Sequence, residues 1–296
     1  MNELDLLRDA VRALLTKRPE QAWERLCTEV GVAGLLIPAR FGGAGAGMAE
    51  ACVVLEELGR VLSPAPMLST VIATQALLAT GNEEACARLL PEIAVGACTP
   101  TLVWDDFVLP GDLFFVVSGG QLYAAQAVST PLPTMDHTRP LIEVYVQQRG
   151  EVLGPFDADR MRDLACVALA AEQVGTAEQA LAITVDYAKT RVQFGRPIGA
   201  FQALQHRMAD LHVLVQTARS AYLAALDGDP LSAAVAKVTC SETLLKVAAE
   251  MIQIHGGIGI TWEHDAHRYF KRAHGSAELF GHPRHHVTRL AGHVLG

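Results

Sequence analysis

The sequence predicts a mainly α protein with a small central β domain. Three observations carry that expectation. Apolar residues at helical spacing run from residue 4 to about 95. Short β-branched and aromatic runs, broken by glycine and proline, occupy 98–157. From Ala158 the helical period returns and continues nearly to the end. The expected division is an N-terminal helical domain over 1–97, a β domain over 98–157 and a C-terminal helical bundle over 158–296.

Each element has its own signal. Leu6, Val11, Leu14 and Leu15 form a first apolar stripe, and Trp23, Leu26, Val30 and Val32 a second. The second runs into the glycine-rich stretch Gly31–Gly47. Ala51, Val54, Leu55 and Leu58 mark a third helix that stops before Pro64 and Pro66. Val71, Leu77 and Leu78 mark a fourth, broken at Gly81-Asn82. In the middle block, Leu113–Val117, Gln121–Ala124 and Leu141–Val146 read as strands. Ser118-Gly-Gly120 and Gln147–Gly150 read as their turns. A long helix from Met161 to Lys189 follows, interrupted by the loop Arg191–Gly199. A second bundle helix carries Leu204, Met208, Leu211 and Val215. A third spans Leu231–His255 and ends at Gly256-Gly-Ile-Gly259, and a fourth begins after Trp262. Long helices with short breaks imply an antiparallel bundle.

Composition excludes several classes. Half of the 296 residues are hydrophobic and only 19% are charged, which excludes a disordered chain. The net charge of −8 argues against a nucleic-acid or anionic-membrane binder, while leaving room for a phosphate held by local arginines. No apolar run is long enough for a membrane span. The N-terminal stretch carries acidic residues and no long apolar core, so it does not read as a signal peptide. Cys27, Cys52, Cys86, Cys98, Cys166 and Cys240 form no CxxC pair and sit among aliphatic neighbours. They read as reduced, mostly buried thiols of a cytoplasmic protein.

Several motifs have plain structural readings. Phe41-Gly-Gly-Ala-Gly-Ala-Gly47 lacks the preceding strand of a dinucleotide fingerprint and reads as a turn between helices. The pairs His264/His267 and His282/His286 have helical metal spacing, but no third ligand is fixed, so no metal is expected. The most specific string is Arg191-Val-Gln-Phe-Gly-Arg-Pro-Ile-Gly199, an arginine and an aromatic in a tight interhelical loop suited to holding phosphate.

With Gln202, His206, Ala209-Asp210, Gln253-Ile-His-Gly-Gly-Ile-Gly259 and Glu263, that string resembles the acyl-CoA dehydrogenases, a family of flavin enzymes. Trp23, Pro38, Phe41-Gly-Gly43, Glu56-Glu-Leu-Gly-Arg60 and Pro64 extend the resemblance through the N-terminal third. It implies an N-terminal helical domain, a β domain and a C-terminal four-helix bundle. It also implies FAD shared across a subunit interface. By this resemblance Arg191, Gln193, Phe194, Gln202, Gln253, Gly256 and Gly257 are the FAD contacts contributed by the bundle. The implied reaction is α,β-desaturation of an acyl-CoA thioester. A carboxylate takes the α-proton, and the β-hydrogen leaves as hydride to the flavin. An electron-transfer flavoprotein is the implied acceptor.

The departures from the family pattern matter as much. The β domain is reduced and has no Thr/Ser-rich flavin-ring segment, of which Thr99–Asp106 is the nearest remnant. The family's base aligns with Phe280, followed by Gly281, and its alternative location with Ala165. Glu278, Asp163 and Glu172 are neighbouring carboxylates that would each need a register shift. This pattern resembles one paralogue of the actinobacterial α2β2 heterotetramers that act on steroid-derived CoA thioesters. The string Thr261-Trp-Glu-His-Asp-x-His267 and the Arg/His-rich end fit the same branch. The implied partner is a paralogous subunit supplying the base. The alternatives are a homo-oligomeric enzyme using Glu278, or an inactive structural homologue.

Overall fold

A computed structural model describes residues 2–17 and 22–294, so residue 1, residues 18–21 and the last two residues of the expected bundle lie outside the described residues. The N-terminal layer holds α1 (Glu3–Lys17), the short α2 (Ala22–Arg25), α3 (Met48–Arg60), α4 (Met67–Ala79) and α5 (Glu83–Ala94). Four strands follow: β1 (Pro100–Val103), β2 (Leu113–Ser118), β3 (Gln121–Leu132) and β4 (Leu141–Pro155). The bundle comprises α6 (Ala158–Thr190), α7 (Gln202–Ala224), α8 (Pro230–His255), α9 (Ala266–Glu278) and α10 (Pro283–Val294). Between α6 and α7 lies a hairpin of β5 (Val192–Gln193) and β6 (Arg196–Pro197). Among the described residues no helix is long and apolar enough to cross a membrane. The fold class expected from the sequence is the one observed.

The helix stripes sort as their spacing predicts, with one shift. Ala51, Val54, Leu55 and Leu58 of α3 are all buried. On α1, Val11, Leu14 and Leu15 are buried, but Leu6 faces solvent and Leu7 packs on the core in its place. Helix α5 starts where Asn82 accepts from the Ala85 N–H, so the predicted break at Gly81-Asn82 is an N-cap. Asp229 does the same for α8, with Pro230 as its first residue.

The sheet has the order β1-β2-β3-β4, with β1 parallel to β2 and the rest antiparallel. Gly119 and Gly120 both take positive φ, the geometry of a two-residue hairpin turn. Strand β4 runs through Gly150 to Pro155, well past the end suggested by its apolar run. Its pairing with the first half of β3, from Gln126 back to Gln121, holds it extended. Strand β1 was not among the expected strands.

Helix α6 is the spine. Its first half, from Met161 to Val174, closes a core shared with α3, α4 and the inner face of the sheet at Leu102, Phe115, Leu122 and Leu153. Its second half, with Ala177, Ala180 and Leu181, builds a separate bundle core with Leu211, Val215, Leu244, Val247 and Met251. Helices α3 and α6 cross at very close range. A Cβ on Gly59 would lie 2.2 Å from the Glu172 carbonyl oxygen, and one on Gly175 would lie 2.0 Å from that of Glu56. Both glycines are needed for the crossing. Beside it, the buried carboxylates of Glu56 and Glu57 are matched by Arg8 at 2.6 and 3.0 Å, Arg12 at 2.8 Å and Arg219 at 2.9 Å. Those pairs lock α1, α3 and α7 together.

Candidate functional site

The antiparallel bundle brings the C-termini of α6 and α8 and the N-termini of α7 and α9 to one end, joined there by the stacking of Tyr187 on His255. All seven residues expected to contact a cofactor lie at that end. Arg191 follows the last turn of α6, where its N–H donates to the Tyr187 carbonyl at 2.9 Å. Val192 pairs with Pro197 and Gln193 with Arg196, which leaves Phe194 and Gly195 at the tip with φ of 54° and 77°. A phenylalanine in the left-handed region is strained, and such strain persists where surroundings or function require it. Phe194 is 91% exposed, so the core does not require it. Its ring meets only Phe201 edge-on, and Arg196 lies over the Phe201 face at 4.2 Å.

Gln202 opens α7, Gln253 lies on the last turn of α8, and Gly256 and Gly257 follow it; all four are exposed. Gly256 has φ 62° and ψ −142°, a conformation suited to glycine alone. A Cβ on either glycine would meet nothing within 4 Å, so the backbone faces open space. Among the described residues the Arg191 guanidinium and the amides of Gln202 and Gln253 have no hydrogen-bond or ion-pair partner; the Gln193 amide donates to the Val192 carbonyl. The end of the bundle therefore offers a free guanidinium, two free amides, a bare aromatic face and open backbone. That set fits the pyrophosphate and adenosine portion of a dinucleotide.

The position aligned with a base is the opposite environment. Phe280 is buried at φ 59°, next to Gly281 at φ 98°. Its ring lies 6.3 Å from Trp104, which in turn meets Phe156 edge-on at 5.7 Å. The space left beside Ser69, Ile72 and Thr101 is ≈ 10 Å³, less than about one water needs. Thr101, in the remnant of the expected flavin-ring segment, donates its hydroxyl to the Leu109 carbonyl at 2.6 Å and has no free hydroxyl proton for a ligand.

The turn at Phe280 is held by buried polar groups. The Lys237 ammonium donates to the carbonyls of Ser276 and Ala277 at 3.2 and 3.1 Å, and burial pulls its pKa down to about 8. His286 sits 3.1 Å from the Phe280 carbonyl, donating through Nε2, and burial holds its pKa down to about 4. Cys166 lies 3.8 Å from the same imidazole nitrogen, and burial raises its thiol to about 12, which leaves it inert.

The three neighbouring carboxylates are placed just as plainly. Glu172 is buried and shared by Arg139 and Arg272, the latter at 2.9 Å. Asp163 is chelated by Arg289. Glu278 is 54% exposed and has His282 at 3.9 Å, on the outer side of α9. Ala165 is fully buried. The histidine pairs separate as well: His264 lies tilted against His255, His267 meets Trp262 edge-on, His282 is exposed and His286 is buried.

Sequence reasoning missed Trp104, Lys237 and the Asp136–Arg272–Glu172–Arg139 cluster that joins the β3–β4 loop to α6 and α9. One signal was available: Lys237 is a lone charge in the apolar run Ala233–Cys240.

Comparison with known proteins agrees with this architecture. Residues 2–97 match the acyl-CoA dehydrogenase N-terminal domain and residues 163–294 the acyl-CoA dehydrogenase C-terminal domain. The acyl-CoA dehydrogenase IpdE2 of Mycobacterium tuberculosis is 45% identical over 99% of this chain and 97% of its own. A variant of the Tcur3481-Tcur3483 steroid ACAD superimposes with a TM-score of 0.87 at 27% identity, over 99% of this chain and 98% of that one. The ChsE4-ChsE5 complex from Mycobacterium tuberculosis shares the fold, with a TM-score of 0.89 at 23% identity over 100% of this chain and 98% of that one. With both terminal domains matched and a relative aligned along almost its whole length, the chain belongs to the acyl-CoA dehydrogenase family of FAD-dependent oxidoreductases.

Proposed function

We propose that this chain is one subunit of a heteromeric FAD-dependent acyl-CoA dehydrogenase that desaturates an acyl-CoA thioester between its α and β carbons. In this reading the chain supplies the bundle half of an FAD site, and a paralogous partner supplies the carboxylate base and the flavin-ring cradle. One observation carries it. The base position is a buried phenylalanine packed on tryptophan, while the FAD-contact set is exposed, with the Arg191 guanidinium and the Gln202 and Gln253 amides unpartnered among the described residues.

The residues divide the work physically. Arg191 neutralises the pyrophosphate with a fork of N–H donors, and Phe194 lays its ring on the cofactor. Gln193, Gln202 and Gln253 provide amide donors and acceptors, and Gly256 and Gly257 let backbone approach closely. The flavin, once bound, supplies the redox chemistry. None of the three candidate carboxylates is placed for the α-proton. Asp163 and Glu172 are neutralised by arginine, and Glu278 faces solvent. A partner must therefore bring the base within hydrogen-bond reach of the thioester's α-carbon. The names of the steroid ACAD and of the ChsE4-ChsE5 complex support a steroid- or ring-derived thioester and a heteromeric α2β2 assembly. We place the enzyme in the cytoplasm, with an electron-transfer flavoprotein as acceptor. We also treat 98–157 as its reduced β domain between the two helical ones.

The deciding test is flavin content. The chain is expressed alone and together with a paralogous acyl-CoA dehydrogenase subunit, and flavin absorbance per mole of protein is compared. Flavin and desaturation activity only in the co-purified complex are the expected result. Full flavin occupancy and activity from this chain alone would overturn it and return the search for a base to Glu278.

A further inference from the structure

Two halves of the proposed FAD surface, the Arg191 hairpin and the Gly256–Gly257 loop, belong to different helices. What joins them is a column of two stacked rings, braced by a third. Tyr187, one turn before Arg191, stacks on His255 with ring centroids 4.3 Å apart and planes 24° apart. His264 braces this pair from the side, its ring centroid 4.3 Å from that of His255 and 6.2 Å from that of Tyr187. The three residues come from the end of α6, the end of α8 and the loop leading into α9.

Each ring is tied to backbone of the surface it serves. The carbonyl of Tyr187 receives the Arg191 N–H at 2.9 Å. Its hydroxyl lies 3.4 Å from the His255 carbonyl, which it reaches as donor, directly before Gly256. His264 accepts from the Ala266 N–H through Nδ1 at 3.1 Å, which anchors that ring at the start of α9. Gly259 packs back on the column, since a Cβ there would come within 3.1 Å of the His255 Cβ.

His255 is not an ordinary core residue. It is buried, and its Nδ1 lies 2.7 Å from the Met251 carbonyl, so Nδ1 carries the proton and Nε2 is a bare acceptor. That Nε2 is buried with no partner. Desolvation also lowers the pKa of the ring, which keeps it neutral. A leucine would fill a pocket without stranding an acceptor, so an imidazole here is costly packing unless its flat, directional ring is needed.

We infer that the Tyr187–His255 column, braced by His264, sets the separation and tilt between Arg191 and the Gly256–Gly257 loop, with His255 as the positioning residue for FAD. This rests on the FAD reading above. The column touches neither the thioester nor a base. Its loss therefore acts on FAD affinity and leaves the acyl-CoA KM alone.

The test uses the flavin-loaded preparation, stripped and retitrated with FAD. His255→Ala is expected to raise the FAD Kd about tenfold, and His255→Phe, which keeps a ring in the column, to stay within about threefold of the parent. The acyl-CoA KM is expected to stay unchanged in both. His264→Leu removes a partly exposed outer ring without endangering the core and is expected to weaken FAD by about threefold to fivefold at an unchanged melting temperature. Arg191→Ala is the control for the FAD reading itself. If Arg191→Ala weakens FAD while His255→Ala and His264→Leu bind it like the parent, the spacer role is wrong and the FAD site stands. Equal losses in His255→Ala and His255→Phe would likewise exclude a ring spacer. If Arg191→Ala binds FAD like the parent, the FAD reading falls and the column's role falls with it.

Discussion

The end of the bundle and the turn at Phe280 are built on opposite terms. At the bundle end, among the described residues, polar groups stand free: the Arg191 guanidinium without a carboxylate, the Gln202 and Gln253 amides without partners, and beside them a strained phenylalanine 91% exposed. At the turn, another phenylalanine takes nearly the same positive φ, but it is buried. There an ammonium and an imidazole hold its surrounding carbonyls. The same backbone strain thus serves two ends. Free groups around a strained residue mark a surface waiting for a ligand. Buried groups that hold the carbonyls around one mark a surface that has been closed. The family's reaction needs both a flavin surface and a base, and in the function proposed above this chain retains the first and has filled the second.

Four measurements would break or sharpen that contrast. The largest effect is expected from Phe280→Ala, which should cost about 3–5 kcal/mol of stability in urea unfolding because Trp104 loses its packing partner. A loss under about 1 kcal/mol would mean the turn is not a packed plug. Arg191→Ala should do the reverse. It is expected to weaken FAD by about tenfold to a hundredfold, the worth of charge-assisted hydrogen bonds, and leave unfolding within about 0.5 kcal/mol. Flavin titration and urea curves on one preparation check both halves.

The third is a pH dependence confined to the turn. His286 has its folded pKa held down to about 4 from 6.5 by burial, so between those values the unfolded chain binds the extra proton. Its contribution is present above pH 6.5 and is lost as the pH falls through that window to about 4. The difference in urea midpoint between the parent and His286→Gln should shrink over that range. A difference that stays constant would remove His286 from the lock. The smallest effect is expected at Phe194→Gly. Relief of the left-handed strain should stabilise the fold by about 1 kcal/mol, while FAD binds more weakly for want of the ring. A variant that is more stable and binds FAD as well as the parent would leave Phe194 without a role at the surface.

Much of the fold was legible because its signals are local. The buried face of α3 follows from the spacing of Ala51, Val54, Leu55 and Leu58 alone. The N-cap of α8 follows from Asp229-Pro230. Where neighbours compete, the local signal misled. Leu6 and Leu7 are equally apolar, and only the packing of α1 on its neighbours turns Leu7 inward. The second halves of β3 and β4 are too polar to read as strands, yet each pairs with the first half of the other, β3 out to Leu132 against Leu141 and β4 out to Pro155 against Gln121, because the backbone ladder does not depend on side-chain character.

The sequence by itself determined the order of helical and β segments, the breaks between them, and the residue types in the Arg191 and Gly256 motifs. These follow from periods of 3.6 and 2 and from the backbone habits of glycine and proline, all set within a few residues. Only the tertiary structure decided which charges are free. Glu172, Asp163 and Arg191 are equally charged in the sequence, but Glu172 meets Arg139 and Arg272, Asp163 meets Arg289, and the Arg191 guanidinium meets no partner among the described residues. Those partners lie far along the chain, and an ion pair forms only when closure of the whole fold brings opposite charges within about 4 Å.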